Sequence, residues 1–203
     1  SRSGADWQDK KFYGFFGGSK LIQENILSER FYLFFSVFCF AVSLCLAAAL
    51  AVALENLSVI WFYLIILFLG VSYSHKPLQL AYHRLGELVI FTLFGPALVM
   101  GGYFLQTGIF PDSKSFLLSL PFGFLTTAIL FANEIPDYHQ DAKCGKINWV
   151  SFLGHERAYI LYAMLIMCAF TAIGLNIFKH FLSPCAAASF LLLLPALKAA
   201  SIL

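Results

Sequence analysis

Six long apolar runs constrain the fold of this chain more than any other feature of its sequence. The runs cover residues 31–54, 57–73, 88–105, 116–133, 158–178 and 181–203. Each is close to the roughly 20 residues that an α-helix needs to cross the hydrocarbon core of a bilayer. Because backbone polar groups inside a membrane must be bonded internally, we expect an all-α, multi-pass transmembrane helix bundle with six spans in a lipid bilayer.

The composition excludes several classes of protein. Hydrophobic residues make up 60% of the chain and charged residues 12%, compared with about 45–50% and about 25% in soluble domains. The net charge of +2 is too small to indicate binding to nucleic acid. Transporters place ionisable groups near the bilayer midplane, whereas the central parts of the first five runs contain no Asp, Glu, Lys or Arg. A transporter is therefore disfavoured.

The basic residues indicate the orientation. Ten of the 13 Lys and Arg residues lie in residues 1–30, 74–87 and 134–157. The alternate connections between the apolar runs contain only Lys114 and Lys179. Because Lys and Arg are enriched in cytoplasmic loops, the first set of segments is predicted to face the cytoplasm.

Polar residues are concentrated where the fourth run ends. Asn133, Asp137 and Asp141 have a spacing of i, i+4, i+8. If the helix continues beyond the membrane boundary, these side chains form a stripe of oxygen ligands along one face. Mg²⁺ prefers one or two carboxylates together with phosphate oxygens. The spacing therefore predicts a magnesium site made by Asn133, Asp137 and Asp141.

Two lysines follow the stripe and suit a phosphate group. Lys143 and Lys146 can hold phosphate as point charges, and Gly145 predicts a turn of the backbone before Lys146. Glu134 lies about 100° away from Asn133 around the helix, so we interpret it as a boundary residue. A metal, lysines and a membrane boundary together favour an amphiphilic substrate with a diphosphate head and a lipid tail.

The segment "NEIPDYHQDAKCGK", followed by "INWVSFLG", resembles the second aspartate-rich motif of the UbiA superfamily of intramembrane prenyltransferases. The matching positions are Asn133, Asp137, Asp141, Gly145, Lys146, Leu153 and Gly154. The chain departs from the motif at Glu134, Pro136 and Asn148, where the family commonly has Asn or Asp, Arg, and Thr.

A second segment, "YSHKPLQLAYHRLGE", resembles the corresponding segment of the MenA branch, which attaches a polyprenyl chain to 1,4-dihydroxy-2-naphthoate in menaquinone biosynthesis. The matching positions are Tyr73, Ser74, Pro77, Leu80, Tyr82, Leu85, Gly86 and Glu87. The resemblance covers nearly the whole chain. It implies a single domain over residues 1–203 that corresponds to helices three to eight of nine, without the first two helices and the C-terminal end. Asp6 matches the last aspartate of the superfamily's first metal motif.

The resemblance also implies a reaction and roles for residues. Mg²⁺ between the two aspartate motifs binds the diphosphate of a polyprenyl diphosphate, the allylic C–O bond ionises, and an aromatic acid acceptor attacks the cation. Asp137 and Asp141 are then catalytic with Tyr73, which faces the cation or the departing diphosphate. The implied substrate-binding residues are Lys76, Lys143 and Lys146 for the diphosphate and Arg84 for the carboxylate of the acceptor.

Some alternatives stay open at this point. Within the enzyme class, 4-hydroxybenzoate, homogentisate or a chlorin can replace the naphthoate as acceptor. A non-catalytic membrane subunit would explain the departures at Glu134 and Pro136. The MenA resemblance implies a bacterial cytoplasmic membrane, with the site loops on the cytoplasmic side.

Overall fold

The computed structural model describes residues 26–143 and 145–200, without the side chains of His139, Gln140, Lys143, His155 and Ala200. Over these residues the chain is almost entirely helical and contains no β-strand. The α-helices are α1 (Glu29–Ala53), α2 (Ser58–Ser74), α3 (Gly86–Thr92), α4 (Leu98–Thr107), α5 (Ser113–Lys143), α6 (Trp149–Leu153), α7 (His155–Phe178) and α8 (Leu193–Ala200). The predicted all-α membrane bundle is therefore confirmed.

Four helical segments are long and apolar enough to cross a membrane: Glu29–Ala53, Gly86–Thr107, Ser113–Tyr138 and Glu156–Phe178. They correspond to the first, third, fourth and fifth predicted spans. The second and last predicted spans contain the shorter apolar helices Ser58–Ser74 and Pro184–Ala199. The large apolar side chains that cover these helices are mostly exposed, as is required of surfaces that contact lipid instead of water.

The chain divides into two compact units, residues 1–67 and 68–203. In the first unit, the hydroxyl of Ser28 caps α1 by accepting a hydrogen bond from the backbone N–H of Phe31. The hydroxyls of Ser43 and Tyr63 then join α1 to α2 with a hydrogen bond of 2.7 Å. A polar pair of this kind ties two otherwise apolar helices together inside a membrane.

The core of the second unit lies between α5 and α7. One buried cluster contains Phe131, Ile135, Val150 and Ala158, and it therefore also includes α6. The segments α3 and α4 form one membrane-crossing helix that a π-helical turn, Leu93–Ala97, interrupts at Pro96. Widened turns of this type accommodate a residue that cannot donate to the preceding turn.

Pro121 lies inside α5 and has no N–H to donate to the carbonyl of Leu117, four residues earlier. The side chain of Asn176, on α7, supplies the missing donor: its Nδ2 lies 2.8 Å from the Leu117 oxygen. Asn176 is fully buried, and its Oδ1 has no hydrogen-bond partner among the described residues. The two central helices of this unit are thus joined where the proline breaks the hydrogen-bond ladder.

Candidate functional site

The helix α5 extends ten residues beyond the predicted end of the fourth span, to Lys143. It remains helical through Pro136, so Asn133, Asp137 and Asp141 lie on one continuous helix, as predicted. Asn133 is exposed, and Asp137 and Asp141 are half-buried. The part of the stripe nearer the end of α5, at Asp137 and Asp141, is therefore partly covered by the protein.

A tight turn follows α5 and brings the chain back against it. Gly145 has a φ of +72°, a conformation that residues with a side chain rarely adopt. The N–H of Lys146 then donates to the carbonyl of Asp141 over 3.0 Å. The turn predicted at Gly145 is confirmed, and it directs the side chain of Lys146 back towards α5.

Lys146 bridges two carboxylates of α5. Its Nζ donates to Oε1 of Glu134 at 3.0 Å and to Oδ2 of Asp141 at 2.9 Å. The side chains of Lys146 and Glu134 are only 18% and 5% exposed, so water screens this contact weakly. Burial by itself lowers the pKa of Lys146, but the two carboxylates outweigh it and hold the pKa above its ordinary value. Lys146 is therefore a cation at neutral pH.

The interpretation of Glu134 as a boundary residue is wrong. Its side chain is buried and belongs to the site. Glu134 and Asp141 are seven residues apart, which places them about 20° apart around a helix. If the angle of Glu134 around the helix had been measured from Asp141 instead of from Asn133, it would have indicated that Glu134 and Asp141 share one face.

Asn148, another residue that sequence reasoning missed, connects the turn to the next helix. Its Nδ2 donates to Oδ2 of Asp141 at 3.0 Å, and its Oδ1 accepts the backbone N–H of Ser151 at 2.9 Å. Asn148 is therefore the N-cap of α6 as well as a partner of the metal-motif carboxylate. Asn is a preferred N-cap residue, and Asn148 stands immediately before an apolar stretch. The sequence therefore did contain a signal for the start of a helix at this point.

The loop that follows α2 lies against the same turn. The N–H of Ile147 donates to the carbonyl of Tyr82 at 3.2 Å, and the N–H of Arg84 donates to the carbonyl of Ile147 at 2.9 Å. The indole Nε1 of Trp149 also donates to the carbonyl of Arg84, at 3.1 Å. These bonds hold the two segments that resemble family motifs side by side.

Glu87 and Tyr73 complete the cluster from that side. Glu87 is buried, and its Oε1 accepts the backbone N–H of Trp149 at 3.3 Å. Tyr73 is half-buried and within electrostatic range of Lys146, Glu134 and Glu87. The predicted catalytic tyrosine therefore lies close to the predicted diphosphate lysine.

The remaining predicted residues lie farther out or outside the described residues. Lys76 is exposed in the loop after α2. Arg84 is exposed, and its guanidinium carbon lies over the ring of Phe152, 4.8 Å from the centroid. Asp6 and the side chain of Lys143 lie outside the described residues.

The donor set suits a hard divalent cation only in part. Carboxylate and amide oxygens along α5 are the ligands that Mg²⁺ prefers. Within residues 26–143 and 145–200, however, no three His, Cys, Asp or Glu side chains form a group that could hold a metal ion. The described residues therefore fit a half-site, in which substrate phosphate and further carboxylates would supply the other ligands.

A family model described as the UbiA prenyltransferase family matches residues 20–203. The protein named UbiA prenyltransferase domain-containing protein 1 in Dictyostelium discoideum is 35% identical over 118 residues, which are 57% of this chain and 36% of that protein. The protein of the same name in Mus musculus is 31% identical over 157 residues, or 72% and 44%.

A bacterial protein is similar to a comparable degree. The 1,4-dihydroxy-2-naphthoate octaprenyltransferase of Bacillus subtilis (strain 168) is 32% identical over 102 residues, which are 50% of this chain and 32% of that enzyme. The chain spans less than half of the length of these three relatives. No solved structure matches.

Proposed function

Because this chain belongs to the UbiA prenyltransferase family, we propose that it transfers a polyprenyl chain from its diphosphate to an aromatic acceptor inside a membrane, with Mg²⁺ as cofactor. The observation that carries the proposal is the cluster at the end of α5. At one end of membrane-crossing helices, a half-buried lysine contacts the second of two aspartates one turn apart, and a tyrosine lies within electrostatic range of that lysine. A substrate with a diphosphate head and a lipid tail needs a polar site at the boundary between membrane and water.

In the proposed reaction the bond between the allylic carbon and the diphosphate oxygen breaks, and the electron pair leaves with the diphosphate. An electron-rich carbon of the aromatic ring then attacks the allylic cation. The ring regains aromaticity by losing a proton or, where the attacked carbon carries a carboxylate, by losing that group as carbon dioxide, and the electron pair of the broken bond stays with the ring. Mg²⁺ held by Asn133, Asp137 and Asp141, with Asp6, would supply Lewis-acid neutralisation of the leaving group.

The protein residues then have separate tasks. Lys146 places a fixed positive charge where negative charge develops on the diphosphate, and such preorganised charges lower the barrier without reorganisation. Lys76 and Lys143 extend the positive charge around the diphosphate. Tyr73 faces the same region and contributes its ring or hydroxyl to the allylic cation or to the leaving group.

We further propose 1,4-dihydroxy-2-naphthoate as the acceptor and menaquinone biosynthesis as the pathway. Two observations support this choice: the MenA-like segment from Tyr73 to Glu87, and the similarity to the 1,4-dihydroxy-2-naphthoate octaprenyltransferase of Bacillus subtilis. Arg84 would bind the carboxylate of the acceptor. Its guanidinium is exposed beside Phe152, and a guanidinium matches a carboxylate with two parallel hydrogen bonds.

We place the site on the cytoplasmic side, because most Lys and Arg residues lie in the loops at that side. The chain belongs to a multi-pass membrane protein. The relatives in Dictyostelium discoideum and Mus musculus are eukaryotic, so a bacterial membrane is supported only by the Bacillus subtilis relative.

The experiment is a prenyl-transfer assay of the full-length protein in membranes, with polyprenyl diphosphate, Mg²⁺ and each candidate acceptor. We expect a metal-dependent product with the naphthoate and its loss in an Asp137→Ala, Asp141→Ala double variant. Lys114→Met, at the opposite end of α5, is the matched control and should keep full activity. A product with 4-hydroxybenzoate, homogentisate or a chlorin instead would correct the acceptor. No product with any acceptor from a folded protein would indicate a non-catalytic subunit.

A further inference from the structure

Lys146 is in direct contact with the carboxylate that is expected to bind the metal. Its ammonium lies 2.9 Å from Oδ2 of Asp141, and the same oxygen accepts Nδ2 of Asn148 at 3.0 Å. A divalent cation on this carboxylate would therefore have the ammonium as its neighbour. Two positive charges a few ångströms apart repel strongly where water is largely excluded.

Glu134 holds the ammonium in this position. Its Oε1 accepts from Nζ of Lys146 at 3.0 Å, while its Oε2 is buried and has no hydrogen-bond partner among the described residues. A buried carboxylate that lost the ammonium beside it would be strongly unfavourable. Lys146 is consequently held beside Asp141 when a metal ion approaches, because leaving for water would strip Glu134 of this cation.

A diphosphate is the anion that would relieve this repulsion. Its oxygens can contact the ammonium and a divalent cation together, so that negative charge lies between the two positive ones. Each ligand then favours binding of the other, and such a coupling is reciprocal.

We propose that Lys146 makes the metal position at Asp141 dependent on diphosphate, so that metal and prenyl diphosphate bind together and the metal alone is kept out. This inference rests on the proposed function, because it concerns the same site. It assigns Lys146 a second task besides neutralising the leaving group. The ammonium acts as an electrostatic lock: its positive charge keeps a metal ion out of the site when no diphosphate is bound.

The test measures binding without turnover, using Mn²⁺ as the probe because carboxylate sites that suit Mg²⁺ also suit Mn²⁺. The full-length protein in lipid nanodiscs is titrated with Mn²⁺ alone, and free Mn²⁺ is counted by electron paramagnetic resonance. Lys146→Met should bind Mn²⁺ at least about tenfold more tightly than the wild type, within the usual range of couplings. Lys146→Arg, which keeps the charge, should behave like the wild type, and Lys114→Met should change nothing.

The reciprocal arm uses radiolabelled inorganic diphosphate in the presence of EDTA. The wild type should bind it, and Lys146→Met should bind it at least about tenfold more weakly. If Lys146→Met proves unstable, the double variant Glu134→Gln, Lys146→Met removes the unpaired buried carboxylate as well. It should still bind Mn²⁺ more tightly than the wild type, because the lost ammonium contacts Asp141 directly.

Equal Mn²⁺ affinity of the wild type and both Lys146→Met proteins would overturn the lock. So would tight binding of Mn²⁺ alone by the wild type. Failure of the proposed function gives a different result: no binding of Mn²⁺ and prenyl diphosphate in any combination, in all variants. A lock that fails in a protein that still binds both ligands together leaves the prenyltransferase proposal intact.

Discussion

The two halves of α5 each contain a proline and a buried polar contact with another segment, but the contacts differ in kind. Near Pro121, the neutral amide of Asn176 donates to the backbone carbonyl of Leu117 and to that of Ala172, on its own helix. Near Pro136, Lys146 lies outside α5 and joins two of its carboxylates, one on each side of the proline. The first contact supplies the donor that the proline lacks, whereas the second brings three charged side chains together. Charged residues are costly near a membrane and are a functional-site hypothesis by default, which is why the proposed site lies at this end of α5.

The largest effect is expected from Lys146→Ala. The variant leaves Glu134 as an uncompensated buried carboxylate, which should lower the free energy of unfolding by about 3 kcal/mol. It should also lower kcat/KM at least about 100-fold, because a fixed charge at the leaving group is lost. Denaturant unfolding in detergent and the prenyl-transfer assay measure the two effects. A stability loss without an activity loss would show that the contacts of Lys146 have only a structural role, like the contact of Asn176 near Pro121.

Asn176→Ala should show the opposite profile. It leaves the Leu117 carbonyl without a donor and should cost about 1–2 kcal/mol of unfolding free energy, with kcat/KM unchanged. Pro121→Ala restores the N–H that Leu117 lacks, so Asn176→Ala should cost clearly less in that background. A double-mutant cycle of unfolding free energies measures this coupling. Additive effects would show that the amide does not serve the proline.

Asn148→Ala should affect both properties to a smaller extent. Loss of the N-cap of α6 should cost about 1 kcal/mol, and loss of the bond to Asp141 should weaken Mn²⁺ binding in the presence of diphosphate about tenfold. Asn148→Ser keeps an oxygen for the N-cap but no amide donor. It should therefore recover stability without recovering metal affinity, and recovery of both would contradict the double role of Asn148.

Trp149→Phe is expected to have the smallest effect. It removes the indole donor to Arg84 and keeps an aromatic ring beside Phe152, so the unfolding free energy should fall by about 0.5–1 kcal/mol. Amide hydrogen exchange at residues 82–87 should accelerate. Trp61→Phe, on an exposed face of α2, is the control. Unchanged amide hydrogen exchange in Trp149→Phe would show that backbone hydrogen bonds alone hold residues 82–87 in place.

The helices were largely predictable because membrane-crossing segments are set by the length of apolar runs, which is a local property. The ends of the helices were less predictable. The fourth run ends at Asn133 by hydropathy, but α5 continues to Lys143 because backbone bonding of a helix does not depend on the polarity of its side chains. The partner of the Leu117 carbonyl could not be predicted either, since Asn176 is 59 residues away from Leu117.

The site was predictable where its residues share one helix or one turn. The stripe of Asp137 and Asp141 and the turn at Gly145 follow from periodicity and backbone preference. The contact between Glu87 and Trp149 spans 62 residues and follows only from the packing of helices. Glu134 was misjudged for a different reason: its angle was measured from the exposed end of the stripe.

The two motif segments meet through main-chain atoms, from Tyr82 to Ile147 and from Ile147 to Arg84. Main-chain bonds are indifferent to which side chains the residues carry. Side chains of residues 76–84 can therefore change without breaking these two bonds, whereas Glu87 is fixed by its own bond to Trp149. Under the proposed function, selection for a new aromatic acceptor could proceed in residues 76–84 while the proposed diphosphate site beside them is kept.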